Sequence, residues 1–101
     1  MVSPLERRQL LAHLKGLANP TRLRILELLA GSGEVSVNEL AEQLRMSQPR
    51  VSWHLTMLRR GGAVRQRREG RQVWYSLDMD GVRRFQLQLW ELLVRHKRIH
   101  P

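Results

Sequence analysis

At 101 residues the chain has room for one domain with a modest core, so a second copy would add useful stability. Its formal charge of +9 favours an acidic partner, either nucleic acid or an anionic membrane surface. The absence of cysteine excludes disulfides, thiolate zinc sites and thiol redox sensing. No stretch approaches the ~20 apolar residues of a membrane span. Polar Glu6, Arg7, Arg8 and Gln9 stand where a signal peptide needs its apolar run, which predicts a soluble, cytoplasmic protein.

A first helix is expected from about Pro4 to Leu17, with Leu10, Leu14 and Leu17 in one stripe. Asn19 can cap a second helix whose first position is Pro20, and Gly31-Ser32-Gly33 ends it. Ser36-Val37-Asn38-Glu39 reads as a capping box opening a third helix of about two turns. That helix turns Val37, Leu40, Ala41 and Leu44 to the core. Ser47 caps a fourth helix lasting to about Arg60, where Gly61-Gly62 stops it. Val64 to Arg67 and Gln72 to Leu77 alternate like a hairpin turning at Glu69-Gly70. Asp78 or Asp80 then caps a last helix to about Arg98. Its apolar residues cover too much of the cylinder for a helix serving only its own small domain. Val82, Phe85, Leu89, Leu92 and Leu93 make one stripe, while Leu87, Trp90 and Val94 lie elsewhere. A homodimer through the first and last helices is the expectation, with Leu10, Leu14, Phe85, Leu89, Leu92 and Leu93 at the interface.

The third and fourth helices meet at a sharp turn, and six arginines follow within thirteen residues, Arg59 to Arg71. Such a pair suits a DNA major groove and the hairpin its flanking phosphates. If Val51 marks the buried face of the fourth helix, Leu55 and Leu58 join it at 100° per residue. Pro49, Trp53, Thr56 and Arg60 then point outward, with Arg50 and Ser52 on the flanks. Gln48 in the first turn can pair bidentately with adenine, Arg50 with guanine or phosphate, and Ser52 with either. Ser47 and nearby N–H groups can hold a phosphate. Trp53 has two readings, against thymine methyls or sugar edges, or folded back onto a neighbouring element. His54 reads as a packing or phosphate-contacting residue. On the hairpin, Val64, Val73, Tyr75 and Leu77 anchor the core side, leaving Arg65, Arg67, Arg68 and Arg71 near phosphates.

Three segments carry a family resemblance: Leu17-Ala18-Asn19-Pro20-Thr21-Arg22-Leu23-Arg24-Ile25-Leu26, Ser47-Gln48-Pro49-Arg50-Val51-Ser52-Trp53-His54-Leu55, and Gly70 through Tyr75-Ser76-Leu77. In this order and spacing the chain resembles the ArsR/SmtB family of bacterial winged helix-turn-helix repressors. The resemblance implies a mainly α fold of five helices, with a small β-hairpin between the fourth and fifth. Residues 36–60 would form the helix-turn-helix, 63–77 the wing, and 1–18 and 78–101 the dimerisation helices of a single domain, 1–101. It also implies a homodimer on double-stranded DNA, at an inverted-repeat operator.

Many members of that family answer to a metal, and here the pattern departs. The positions of the family's thiolate site hold Ser36 and Asn38, with Ala41 nearby, none of them a soft ligand. The positions of its last-helix site hold Met79, Gly81, Leu92 and Arg95, or, shifted by one, Asp80, Val82, Leu93 and His96. The expectation is no metal and no cofactor. His96 and His100, four apart, remain candidates for an unusual nitrogen and oxygen site with Asp80 or His13. The effector, if there is one, is a small molecule or a protein of unstated identity. Non-specific architectural binding is the competing reading, against which the polar first turn of the fourth helix argues. No nucleophile with a neighbouring base and no phosphate-binding glycine loop supports an enzyme. A membrane-surface role lacks the basic amphipathic helix it needs.

Overall fold

The computed structural model describes residues 2–99, with side chains as far as Val94. The elements are α1 (Pro4–Leu17), α2 (Pro20–Ser32), β1 (Glu34–Ser36), α3 (Val37–Leu44), α4 (Gln48–Arg60), β2 (Val64–Glu69), β3 (Gln72–Leu77) and α5 (Met79–Ile99). No helix among the described residues is long and apolar enough to cross a membrane.

Side-chain caps set most helix starts. Ser3 and Glu6 exchange hydrogen bonds with each other's backbone N–H, a complete capping box on α1. Asn19 Oδ1 accepts from the N–H groups of Thr21 and Arg22 at 2.9 and 3.2 Å, and Pro20 fills the first position of α2. The box expected on α3 forms on its serine side, with Ser36 Oγ accepting from Glu39 N–H at 3.2 Å. Ser36 also ends β1, where it pairs with Trp74. Between Asp78 and Asp80, the structure selects Asp78 as the cap of α5: its Oδ1 accepts from Gly81 N–H at 2.9 Å. That bond holds the Asp78 carboxyl below its usual pKa, and Arg65 adds to the effect.

The sheet has three strands rather than the two of the expected hairpin. Its order is β1-β3-β2, antiparallel throughout, with Val35 opposite Tyr75 and Gln66 opposite Tyr75 on the other side. β1 therefore ties the hairpin to the start of α3, so the wing and the helix pair share one frame. The core lies between α2, α3, α4 and the inner face of this sheet. Ile25, Leu29, Val35, Leu40, Val51, Leu55 and Leu58 are fully buried there.

α5 meets the end of α4 in backbone contact. A Cβ on Gly81 would fall 2.1 Å from the Gly62 carbonyl oxygen, and one on Gly62 2.7 Å from Phe85 Cε2. Gly62 also sits at φ +75, where a side chain is strained. Phe85 consequently turns inward. It is 5% exposed and stacks on His13 of α1 with ring centroids 4.5 Å apart. Leu10 is likewise buried within the single chain. Of the residues expected at a dimer interface, Leu10 and Phe85 are thus already covered by their own chain. Leu89 and Leu92 are half-buried, and Leu14 and Leu93 are exposed. The outward face of α5 is instead built on Leu87, Trp90 and Leu93, with Trp90 67% exposed.

Candidate nucleic-acid interface

α4 presents the surface that its periodicity requires. Val51, Leu55 and Leu58 are buried, while Ser47, Gln48, Pro49, Arg50, Trp53 and Arg60 are exposed and Ser52 and Thr56 half-buried. Ser47 Oγ accepts from Arg50 N–H at 3.4 Å, which begins the helix two residues after the turn from α3. Arg45 makes that turn at φ 54, a left-handed conformation taken here by a non-glycine residue. Thr56 Oγ1 donates to the Ser52 carbonyl at 2.9 Å, so its proton is committed to its own helix.

The wing tip folds towards this first turn. A cleft of about 370 Å³ is lined by Val37 and Asn38 from the start of α3, Gln48 and Ser52 from α4, and Arg71, Gln72 and Val73 from the wing. Its polar groups are amides, a hydroxyl and one guanidinium, with no carboxylate. A strand of DNA passing from a groove filled by α4 to one touched by the wing would cross here. Neither Asn38 nor Gln72 is marked by the sequence as a DNA-facing residue. Neutral amides carry no charge signal, and their convergence depends on the β1–β3 pairing.

The wing arginines divide into two kinds. Arg67 is gripped by Glu34 of β1 through two bonds of 2.8 and 2.9 Å and by Glu69 at 2.6 Å, and it lies over the Trp74 ring. The Arg67 bonds hold the Glu34 carboxyl below its usual pKa, and Glu34 with Glu69 raises that of Arg67. Arg65 pairs with both Asp78 and Asp80 at 3.2 Å. Of the four wing arginines expected near phosphates, Arg65 and Arg67 have their charges balanced by carboxylates of the same chain in the DNA-free fold. Arg68 and Arg71 are exposed and make no ion pair among the described residues. Arg59 donates to Gln66, whose amide in turn donates to the Tyr75 hydroxyl at 3.2 Å, linking α4 to the wing.

Behind the exposed face sits a group that no local sequence signal marks. Arg22 of α2 is buried. Its Nη1 donates to the Lys15 carbonyl at 3.0 Å and its Nε to His54 Nδ1 at 3.1 Å. Its guanidinium carbon lies 4.9 Å from the Trp53 ring centroid. Trp53 thus backs onto a neighbouring helix with one face yet stays 56% exposed. His54 is a buried packing residue. Burial lowers its pKa, and the nearby charges of Arg22 and Arg50 lower it further.

At the described positions of the family's metal sites the side chains are poorly matched to a metal. The Ser36 hydroxyl is buried and committed to capping α3, Asn38 is an amide, and Met79 and Gly81 bring no hard or imidazole donor. Among the described residues no three His, Cys, Asp or Glu side chains cluster as ligands. Asp80 is held by Arg65, and His13 Nδ1 bonds the Gly61 carbonyl at 2.6 Å. The His96 side chain and His100 lie outside the described residues.

An exposed polar first turn on the second of two packed helices, beside a basic three-stranded wing, defines a winged helix-turn-helix DNA-binding protein. The family described as a helix-turn-helix domain matches residues 17–67. Over 63 residues the chain is 46% identical to the arsenic resistance transcriptional regulator of Pseudomonas putida, covering 62% of this chain and 49% of that protein. It is 44% identical over 70 residues to the transcriptional activator HlyU of Vibrio cholerae, covering 69% of this chain and 64% of that protein. The matched segments thus span about half and about two thirds of those relatives' lengths. A homodimeric winged helix-turn-helix DNA-binding domain from Mycobacterium bovis, described as a possible ArsR-family regulator, superposes with a TM-score of 0.69 at 36% identity. That likeness covers 93% of this chain and 86% of the other. The chain belongs to the ArsR/SmtB family of winged helix-turn-helix transcriptional regulators.

Proposed function

We propose that this protein is a homodimeric, sequence-specific repressor that binds an inverted-repeat operator through α4 and its wing, and whose signal is not a metal. The observation that carries the reading is the set of readers on the first two turns of α4. Gln48 and Ser52 offer directional hydrogen bonds in a carboxylate-free cleft, and Arg50 stands exposed on the same stretch of helix. An architectural binder needs only charge there. Ser47, Pro49, Trp53 and Arg60 frame the same surface, and Arg68 and Arg71 supply phosphate contacts beside it.

Repression is the direct consequence of a dimer seated across its own promoter. HlyU, described as an activator, favours a second reading in which the bound dimer assists transcription. A promoter fusion with and without the protein decides between them.

The test of DNA reading is anisotropy on the DNA upstream of the protein's own gene against random duplex, with zinc, nickel or chelator added. A specific site is expected to bind at least roughly 10³-fold more tightly than random DNA, with no response to metal. Gln48→Ala and Arg50→Ala are each expected to lose about 1–3 kcal/mol of discrimination between operator variants. An equal loss on every sequence would contradict direct reading, and equal affinity for random DNA would favour the architectural alternative.

A further inference from the structure

Arg22 carries a charge in a place where an apolar side chain would pack. It is 6% exposed and makes no ion pair among the described residues. Burying a guanidinium without a carboxylate is costly unless its N–H groups are used. Here they join three helices: Nη1 reaches the Lys15 carbonyl of α1, and Nε reaches His54 of α4. The flat face of the group supports the Trp53 indole.

The bond to His54 fixes a protonation state. Arg22 Nε carries a hydrogen, so His54 Nδ1 must be the acceptor and the ring must be neutral, with its proton on Nε2. The ring is 5% exposed. The charged groups bearing on it are Arg22 from α2 and Arg50 from its own helix, both cations, while Lys15 of α1 contributes its carbonyl through Arg22. A proton on Nδ1 would set two donors against each other and add a positive charge beside two others.

We propose that Arg22 is a positioning residue: it holds α4, and Trp53 on that helix, in the DNA-reading pose through a clamp that closes only on neutral His54. The inference rests on the reading role proposed for α4. Opening the clamp breaks the link that runs from His54 of α4 through Arg22 to the Lys15 carbonyl of α1 and removes the support behind Trp53. Selective binding then weakens, while non-specific binding, which follows charge, does not. Burial and the two cations hold the folded pKa of His54 below the ordinary imidazole value. The stabilisation is therefore complete above that ordinary value and is lost as pH falls through the lower, folded one.

The test measures the ratio of operator to random-DNA affinity from about pH 8 to about pH 5, across the imidazole range. For the wild type the ratio is expected to fall on acidification, with a limit of about tenfold per pH unit for the one coupled proton of each protomer. His54→Asn places an amide oxygen where Nδ1 stood and does not titrate, so its ratio is expected to stay flat. Arg22→Lys keeps the charge but loses the planar donor, and is expected to show a lower ratio at neutral pH and no acid slope. A flat wild-type profile, or the same slope in His54→Asn, would overturn the clamp. Imidazole nitrogen shifts of the DNA-free protein give a second, independent readout. The Nε2–H tautomer is expected for His54 at neutral pH, with the Trp53 indole signal moving as that ring titrates. An Nδ1–H tautomer would overturn the clamp whether or not an operator is found, which separates its failure from that of the repressor reading.

Discussion

Arg67 and Arg68 are neighbours on β2, and alternation along a strand sends their side chains to opposite faces of the sheet. Arg67 crosses the outer face to Glu34 and Glu69, whereas Arg68 stands exposed without an ion pair among the described residues. The two should therefore respond differently to salt. Arg68→Ala is expected to weaken binding to random DNA and to reduce the salt slope of log K by about 0.9 for each protomer whose wing meets a phosphate. Glu34→Gln should act in the opposite direction, tightening binding and steepening the slope, because it hands Arg67 back to the DNA. Salt titrations of the two variants on one duplex check both, and a Glu34→Gln protein identical to wild type would show that Arg67 never competes for phosphate. The sequence marked Arg67 as a phosphate ligand because charge density is all that a hairpin displays. Its partner Glu34 lies 33 residues away and comes into reach only through the β1–β3 pairing. Arg22 was hidden for a related reason: an arginine near a helix start is normally solvated, and nothing local announces that three helices converge on it.

Helix boundaries were the most legible features, because they depend on local chemistry. Asn19-Pro20, Ser47 and the Gly61-Gly62 stop each act within a turn of their own position, and α2 and α4 begin and end where those residues predict. β1 was illegible. Three residues, Glu34 to Ser36, are too few to show alternation, and Ser36 doubles as the cap of α3. The inward and outward faces of α5 are hard to tell apart in the sequence, since apolar residues occupy most of its circumference, and it takes the close approach at Gly62 and Gly81 and the stacking on His13 to show Phe85 as inward. The Gly62–Gly81 contact is held by the Asp78 cap. Asp78→Ala is expected to cost about 1 kcal/mol of stability, measurable by thermal denaturation at neutral pH. The folded pKa of Asp78 is lowered, so this contribution is complete above the ordinary carboxylate value and disappears as pH falls through the folded one. Wild type and variant should thus converge in strong acid. A difference that persists there would assign the effect to packing rather than to the ionised cap.

On the scale of the whole molecule, one chain leaves apolar surface that it does not cover. Leu87, Trp90 and Leu93 on α5 and Leu11 and Leu14 on α1 are all exposed, more than a domain of this size keeps without a partner. A second copy meeting these two helices would cover them and set two α4 helices side by side at a fixed spacing. Trp90→Glu is expected to sediment as a monomer and to lose operator binding while its far-ultraviolet circular dichroism stays unchanged. A variant that remains dimeric would move the interface off this face.

In the function proposed above, two α4 helices fixed by that dimer read two half-sites on one side of the duplex. That arrangement is tested most directly by inserting half a helical turn, roughly five base pairs, between the half-sites of the operator. Affinity is expected to drop towards that of a single half-site and to recover when the insertion reaches a full turn. Affinity unchanged by the half-turn insertion would contradict it, because the spacing of the two helices would then play no part in recognition.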